Sequence, residues 1–307
     1  MRLPTATSEA MADLTHLADR SIISVEGPDA ETLLKGVITQ ETTSATPAAF
    51  SALLTPQGKI IVDFFLIRSQ DGFFIDVATD AAADLERRLK MYRLRAKAEI
   101  ERRDDLCVFM IPGSPGEDLT LPSADDIVVS FQDPRTDLMG VRAILGGEQP
   151  DGANQTGSDG GNDGGSDAYR DLRVANGVPE FGASFGANDV FLLDVNYDAL
   201  NGVDYAKGCF VGQEVASRMK RKGEVRKRTV KVTFGSDAVP PNSAPEGETP
   251  VTQSGAKIGS LIEGPIVGKD GNAQGLAIVR VDKWIPDEPV SVGETNASAT
   301  LPTYLPS

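Results

Sequence analysis

The chain has 307 residues, 40% of them hydrophobic, and a formal net charge of −15. That length suits two or three domains, and the acidic excess argues against a general nucleic-acid binder. No apolar run approaches the roughly 18 residues needed to cross a bilayer, so no membrane partner is expected.

Met1 to Arg20 has no cationic start followed by an apolar segment, and it carries Glu9, Asp13 and Asp19. Neither a secretory signal nor a transit peptide is expected there. Two cysteines, Cys107 and Cys209, fit a reducing compartment. The expected location is the cytoplasm. Ile22 to Val25 reads as a strand, and Gly27-Pro28-Asp29 starts a helix with Ala30, Leu33, Leu34 and Val37 on its apolar face. Phe50 to Leu54 and Lys59 to Ile67 are strand-like and joined by the turn Thr55-Pro56-Gln57-Gly58. Phe73 to Ala78 is a third strand. Asp80 is then expected to cap a helix with Leu85, Leu89 and Tyr92 on one stripe. Ala96 to Glu101, Cys107 to Ile111 and Ile127 to Phe131 are further strands, which together predict an α+β layer.

Gly146 to Asp167 is a Gly/Asp/Asn/Gln/Ser tract expected to be a mobile insertion, because it has too little apolar surface to offset its ordering entropy. Helical signals return at Tyr169 to Val174 and at Val211 to Lys222. After Glu224, strands at Thr229–Phe234, Lys257–Ile262 and Gly275–Val281, separated by Gly/Pro turns, read as a small β-barrel.

The residue inventory narrows the chemistry. A structural zinc site takes about four Cys or His ligands, and the chain has only Cys107, Cys209 and His16, so no stably bound metal is expected. A cubane cluster likewise needs about four thiolates. His16 lies in a polar segment with no nucleophile elbow nearby, and neither a P-loop nor a dinucleotide-binding glycine motif is present.

The most informative stretch is Lys207-Gly208-Cys209-Phe210-Val211-Gly212-Gln213-Glu214. A thiol near a lysine and a helix N-terminus tends to react as thiolate; a tight turn holding a small buried cysteine fits the same residues. Around it lies a basic run, Arg218, Lys220, Arg221, Lys222, Arg226, Lys227, Arg228 and Lys231. The run suits carboxylates or phosphates, or is a solvated helix end. Asp63 interrupts an apolar strand, and is either the polar face of a one-sided sheet or a pocket-facing carboxylate. Asp194, in Phe191-Leu192-Leu193-Asp194-Val195-Asn196, raises the same question. An acid in a pocket accepts two hydrogen bonds from an amino-pyrimidinone edge, which suits a pterin.

The stretch from Lys207 to Glu214, continued by Val215-Ala216-Ser217-Arg218, resembles the Lys-Gly-Cys signature of the YgfZ-type folate-binding proteins. Further blocks match that family in order: Thr55 to Ile60, Tyr92 to Arg95, Leu172 to Pro179, Asn196 to Leu200 and Gly275 to Arg280. The wider superfamily includes the glycine-cleavage aminomethyltransferase, whose related segment lacks the Lys-Gly-Cys lead-in.

The resemblance implies a three-part ring, with a folate-binding domain (1–48 plus 137–224), a ferredoxin-like unit (49–136) and a C-terminal barrel (225–307). It implies tetrahydrofolate or a derivative as cofactor. It also implies a role in assembly or repair of [4Fe–4S] proteins, with iron–sulfur client or carrier proteins as partners. Cys209 is implied as the essential thiol, with Lys207 lowering its pKa and Gly208 and Gly212 shaping the loop. Asp194 is implied to hold the pterin and the basic run, including Arg218 and Arg226, the glutamate tail; Gln213 and Glu214 complete the candidate cofactor-binding set. Asp63 falls near the aminomethyltransferase's catalytic carboxylate, which leaves tetrahydrofolate-dependent aminomethyl or one-carbon transfer as the alternative. The shorter acid at Asp194 and the missing glutamate after Leu172-Arg173 depart from that enzyme's pattern.

Overall fold

The computed structural model describes residues 15–45, 47–112, 127–146, 164–221, 225–235, 248–267 and 272–306. The chain divides into two compact units: Met1–Ser51 with Phe64–Arg170, and Ala52–Asp63 with Asp171–Ser307.

The first unit is built from β1 (Thr15–His16), β2 (Arg20–Glu26), α1 (Ala30–Val37), β3 (Ala48–Leu54), β4 (Ile60–Arg68), β5 (Gly72–Ala78), α2 (Thr79–Arg93), β6 (Glu99–Arg103), β7 (Leu106–Ile111), β8 (Ile127–Gln132) and β9 (Val141–Gly146). Five strands form a sheet in the order β3-β4-β5-β2-β6, and four form another in the order β1-β7-β9-β8. The chain ends of β3 and β4 that flank their turn, residues 52–63, count with the second unit. β2 is antiparallel to both neighbours, with Ile23 opposite Ile75 and Arg102.

The apolar positions of α1 are buried as their spacing requires. In α2, Leu85 and Leu89 are buried but Tyr92 is 36% exposed. Seven residues make slightly less than two full helical turns, so the i+7 position drifts off the stripe in the last turn. Asp80 is not the cap: the helix starts at Thr79, and Ala78 before it supplies no side-chain bond. The Asp80 carboxylate instead lies in the first turn, where the helix dipole favours it. Strand β9 was not expected, because Arg142 breaks its apolar run. It pairs with both β7 and β8.

Arg142 belongs to a buried ionic network. Asp76 on β5 receives the Arg20 Nε at 2.6 Å and the Arg142 Nη1 at 2.9 Å. Asp133 receives Arg135 at 2.7 Å and Arg142 at 3.2 Å. Tyr169 Oη accepts from both Arg135 and Arg142, and Arg142 stacks 4.1 Å from the Phe65 ring centroid. Burial alone would raise the Asp133 carboxyl, but the charges of Arg135 and Arg142 override it and hold it below the usual carboxylate range.

The remaining elements are α3 (Gly164–Ala175), α4 (Gln213–Arg221), β10 (Lys227–Phe234), β11 (Pro250–Gln253), β12 (Ala256–Val267), β13 (Ala273–Arg280), β14 (Val290–Val292) and β15 (Thr295–Thr300). The last six strands close a barrel in the order β10-β13-β12-β11-β14-β15. Its core holds Val230, Val232, Val251, Ala277, Val279 and Trp284. Gly259 permits the close approach of β12 to β13: a Cβ there would stand 2.1 Å from the Ile278 carbonyl oxygen. Arg173, on α3, forms a two-pronged ion pair with the buried Glu263 of β12, which also accepts from the Ser184 hydroxyl. Most of the Gly146–Asp167 tract lies outside the described residues, as does Lys222.

Candidate functional site

The second unit carries a cavity of about 540 Å³ lined by Phe191, Leu193, Asp194, Met219, Val225, Arg226 and Lys227. Asp194 sits in an irregular segment fixed from two sides. On one side the segment lies against the start of β4: Ile60 donates to the Val190 carbonyl and accepts from the Asn188 amide. Lys59 Nζ donates to the Asn188 and Asp189 carbonyls, 5.6 Å from the Phe191 ring centroid. On the other side, Asn196 mimics a strand neighbour of β10. Its side chain donates to the Thr229 carbonyl at 2.9 Å and accepts from the Thr229 amide at 3.2 Å, while the Thr229 hydroxyl donates to the Asp194 carbonyl at 2.9 Å. Arg228 adds a two-pronged pair with Asp198. The Asn196–Leu200 block is therefore a clamp for the Asp194 segment.

The Asp194 side chain is poorly provided for. One oxygen accepts a long 3.4 Å bond from the Phe191 amide, and the other has no partner among the described residues. Burial pushes its carboxyl above the ordinary carboxylate range. The Phe191 amide and the charges of Lys227, Lys59 and Arg228 counter this only in part. Among the described residues the cavity thus offers an under-satisfied acid, an apolar lining and two cations.

The motif reaches the same cavity through α4, which begins within it at Gln213 and contributes Met219. Gly212 has φ +82°, and a Cβ on it would stand 2.6 Å from the Thr55 carbonyl oxygen. Gly58, at φ +80°, would press a Cβ to within 2.9 Å of the Val215 Cβ. The Thr55–Gly58 turn and the Lys207–Glu214 motif are therefore packed backbone to backbone. Asp204 closes the turn ahead of the motif by accepting from the Ala206 amide at 2.7 Å and the Lys207 amide at 3.3 Å. Lys207 is buried with its ammonium 5.2 Å from the Phe210 ring centroid. Cys209 is an exposed free thiol, whereas burial raises the pKa of half-buried Cys107.

The structure sorts the other candidates. Asp194 and Arg226 line the cavity, joined by Lys227. Gly208 and Glu214 are exposed, Gln213 is half-buried in the first turn of α4, and Arg218 is exposed in its last. Asp63 is 1% exposed and does not line the cavity; its carboxylate accepts from the Phe181 amide at 3.0 Å and from the Tyr197 hydroxyl. The basic run is divided in its tasks. Arg228 pairs with Asp198, and Lys231 donates to the Ala175 carbonyl. Lys220 stands 4.1 Å from the Tyr205 ring centroid. Phe191, Leu193, Met219 and Val225 were not among the candidates, although Leu193 adjoins Asp194, Met219 lies between Arg218 and Lys220, and Val225 precedes Arg226. Among the described residues no three His, Cys, Asp or Glu side chains gather as a metal site requires, and no helix is long and apolar enough to cross a membrane.

The fold is that of the aminomethyltransferases. The solved glycine cleavage system aminomethyltransferase T from Bartonella henselae matches with a TM-score of 0.68 at 16% identity, over 97% of this chain and 88% of that one. Residues 226–307 match the family described as the CAF17 C-terminal beta-barrel domain. Within that class the sequence is more specific. It is 31% identical to the mitochondrial iron–sulfur cluster assembly factor IBA57 of Homo sapiens, over 87% of this chain and 77% of that protein. It is 28% identical to the mitochondrial IBA57 homologue of Pyricularia oryzae, over 92% and 77%. The chain belongs to the IBA57 family of iron–sulfur cluster assembly factors. One expectation is corrected here: relatives named as mitochondrial overturn the cytoplasmic location.

Proposed function

We propose that this protein binds a reduced folate in the Asp194 cavity and serves iron–sulfur cluster assembly through the Cys209 thiol, as the YgfZ-type resemblance implies. The observation that carries the folate reading is the ordering of the cavity wall. A buried acid with one oxygen unpartnered among the described residues suits the paired N–H donors of a pterin edge. Phe191, Leu193, Met219 and Val225 suit its flat apolar body, and Arg226 and Lys227 suit the carboxylates at its far end. A tetrahydrofolate bound there supplies one-carbon or reducing chemistry; the residues of this chain bind and orient it.

Cys209 presents one thiol to solvent. A single sulfur holds a cluster only together with ligands from another molecule, so the cluster is cargo shared with a client or carrier protein. The cytoplasm is not part of this reading, and no turnover is required by it. The alternative, aminomethyl transfer through Asp63, has less support, because that carboxylate is already engaged by Phe181 and Tyr197.

Two experiments test the reading. Calorimetric titration of tetrahydrofolate should show at least about tenfold weaker binding to Asp194→Ala, the loss expected for a charge-assisted hydrogen bond. Unchanged affinity overturns the pterin assignment. In a strain lacking the protein, Cys209→Ala should fail to restore [4Fe–4S] enzyme activity and Asp63→Asn should restore it. The reverse pattern favours transfer chemistry.

A further inference from the structure

A second cleft, of about 430 Å³, opens on the barrel, and Lys227 lines both it and the Asp194 cavity. Among the described residues its other lining cations are Lys257, Arg280 and Lys283, against one lining carboxylate, Glu248. In a chain of net charge −15 this is a concentrated positive surface. The cations cross three neighbouring strands: Lys227 of β10 stands in register with Arg280 of β13, which pairs with β12, the strand of Lys257. Lys283 follows in the turn after β13.

Two of these cations have local partners. Lys257 pairs with Glu248 at 2.6 Å and Arg280 with Asp282 at 2.6 Å. Both pairs are solvent-exposed, and exposed pairs contribute little and yield to a better anion. Lys227 and Lys283 carry no ion pair among the described residues. Gly259, opposite Val279, keeps the floor of the cleft low.

We infer that this cleft takes the γ-linked oligoglutamate tail of the folate, an inference that rests on the folate reading of the Asp194 cavity. An anionic tail leaving that cavity past Lys227 meets the cleft next. Neighbouring strands stand about 4.8 Å apart, so cations on successive strands suit carboxylates carried on successive residues of an extended tail. The ligand class is thereby narrowed from folates in general to polyglutamylated ones.

Calorimetry with the full chain separates the two claims, using tetrahydropteroyl monoglutamate and triglutamate as probes. The triglutamate should bind about 5- to 10-fold more tightly, as two or three exposed charge contacts allow. That advantage should disappear in the double variant Lys257→Glu, Lys283→Glu while monoglutamate affinity holds, and in 0.5 M salt the difference between the two probes should vanish. Equal binding of the two probes by the unaltered protein overturns the tail site and leaves the folate reading standing. A double variant that keeps the advantage also overturns it. Binding of neither probe overturns both.

Discussion

Two buried acids, one in each unit, are treated in opposite ways. Asp133 is held by two arginines inside a network where every carboxylate meets guanidinium, and its carboxyl titrates low. Among the described residues Asp194 has one long amide bond and an oxygen without a partner, and burial pushes its carboxyl above the ordinary range. Burying a carboxylate costs free energy unless partners replace its water. In the first unit the replacement is complete, and the acid serves the fold. In the second it is left unfinished, which is what a carboxylate waiting for a ligand requires.

The sharpest way to break this contrast is Asp133→Asn. It leaves Arg135 and Arg142 buried with less counter-charge, and removing one partner of a buried ion pair costs about 3–5 kcal/mol. Urea unfolding followed by circular dichroism should show that loss. The pH dependence has a definite sign. Asp133 is depressed when folded, so its stabilisation is full above the ordinary value of about 4 and is lost as pH falls through the lower folded value. A wild-type melting temperature that stays flat on acidification would break the account of the network.

Gly212→Ala comes next, at about 1–3 kcal/mol, the usual cost of a side chain forced to positive φ. Here the methyl also collides with the Thr55 carbonyl. The same urea experiment reads it.

The smallest effect has the opposite sign. Folded Asp194 holds its proton more tightly than the unfolded chain does. Wild-type stability therefore falls as pH rises from about 4 through its elevated folded value. Asp194→Asn should abolish that slope and raise the neutral-pH melting temperature while weakening tetrahydrofolate binding. A variant that is less stable at pH 7 would mean that Asp194 is a structural acid like Asp133.

The sequence made much of the second unit readable. Asp194 stood out because a charge among Phe191, Leu192, Leu193 and Val195 demands a reason, and the Lys207–Glu214 motif because two glycines flank a rare cysteine. Of the six barrel strands, β10, β12 and β13 were legible, whereas the short β11, β14 and β15 were not. The ionic network was not legible, because its members are scattered from Arg20 to Tyr169 and only the sheets bring them together. Arg142 even hid its own strand by breaking the apolar run that marks one. The packing of Gly58 on the motif helix was likewise invisible, since nothing local says which backbone a glycine will meet.

Gly208 differs from Gly212, four residues on. Its φ is not positive, and a Cβ there would meet nothing within 4 Å. The fold therefore makes no demand for glycine next to Cys209, and alanine at 208 should unfold at the same temperature as the parent. If iron–sulfur enzyme activity drops all the same, the methyl is occupying room that a visiting molecule needs. One added carbon then measures how closely that visitor comes to the sulfur.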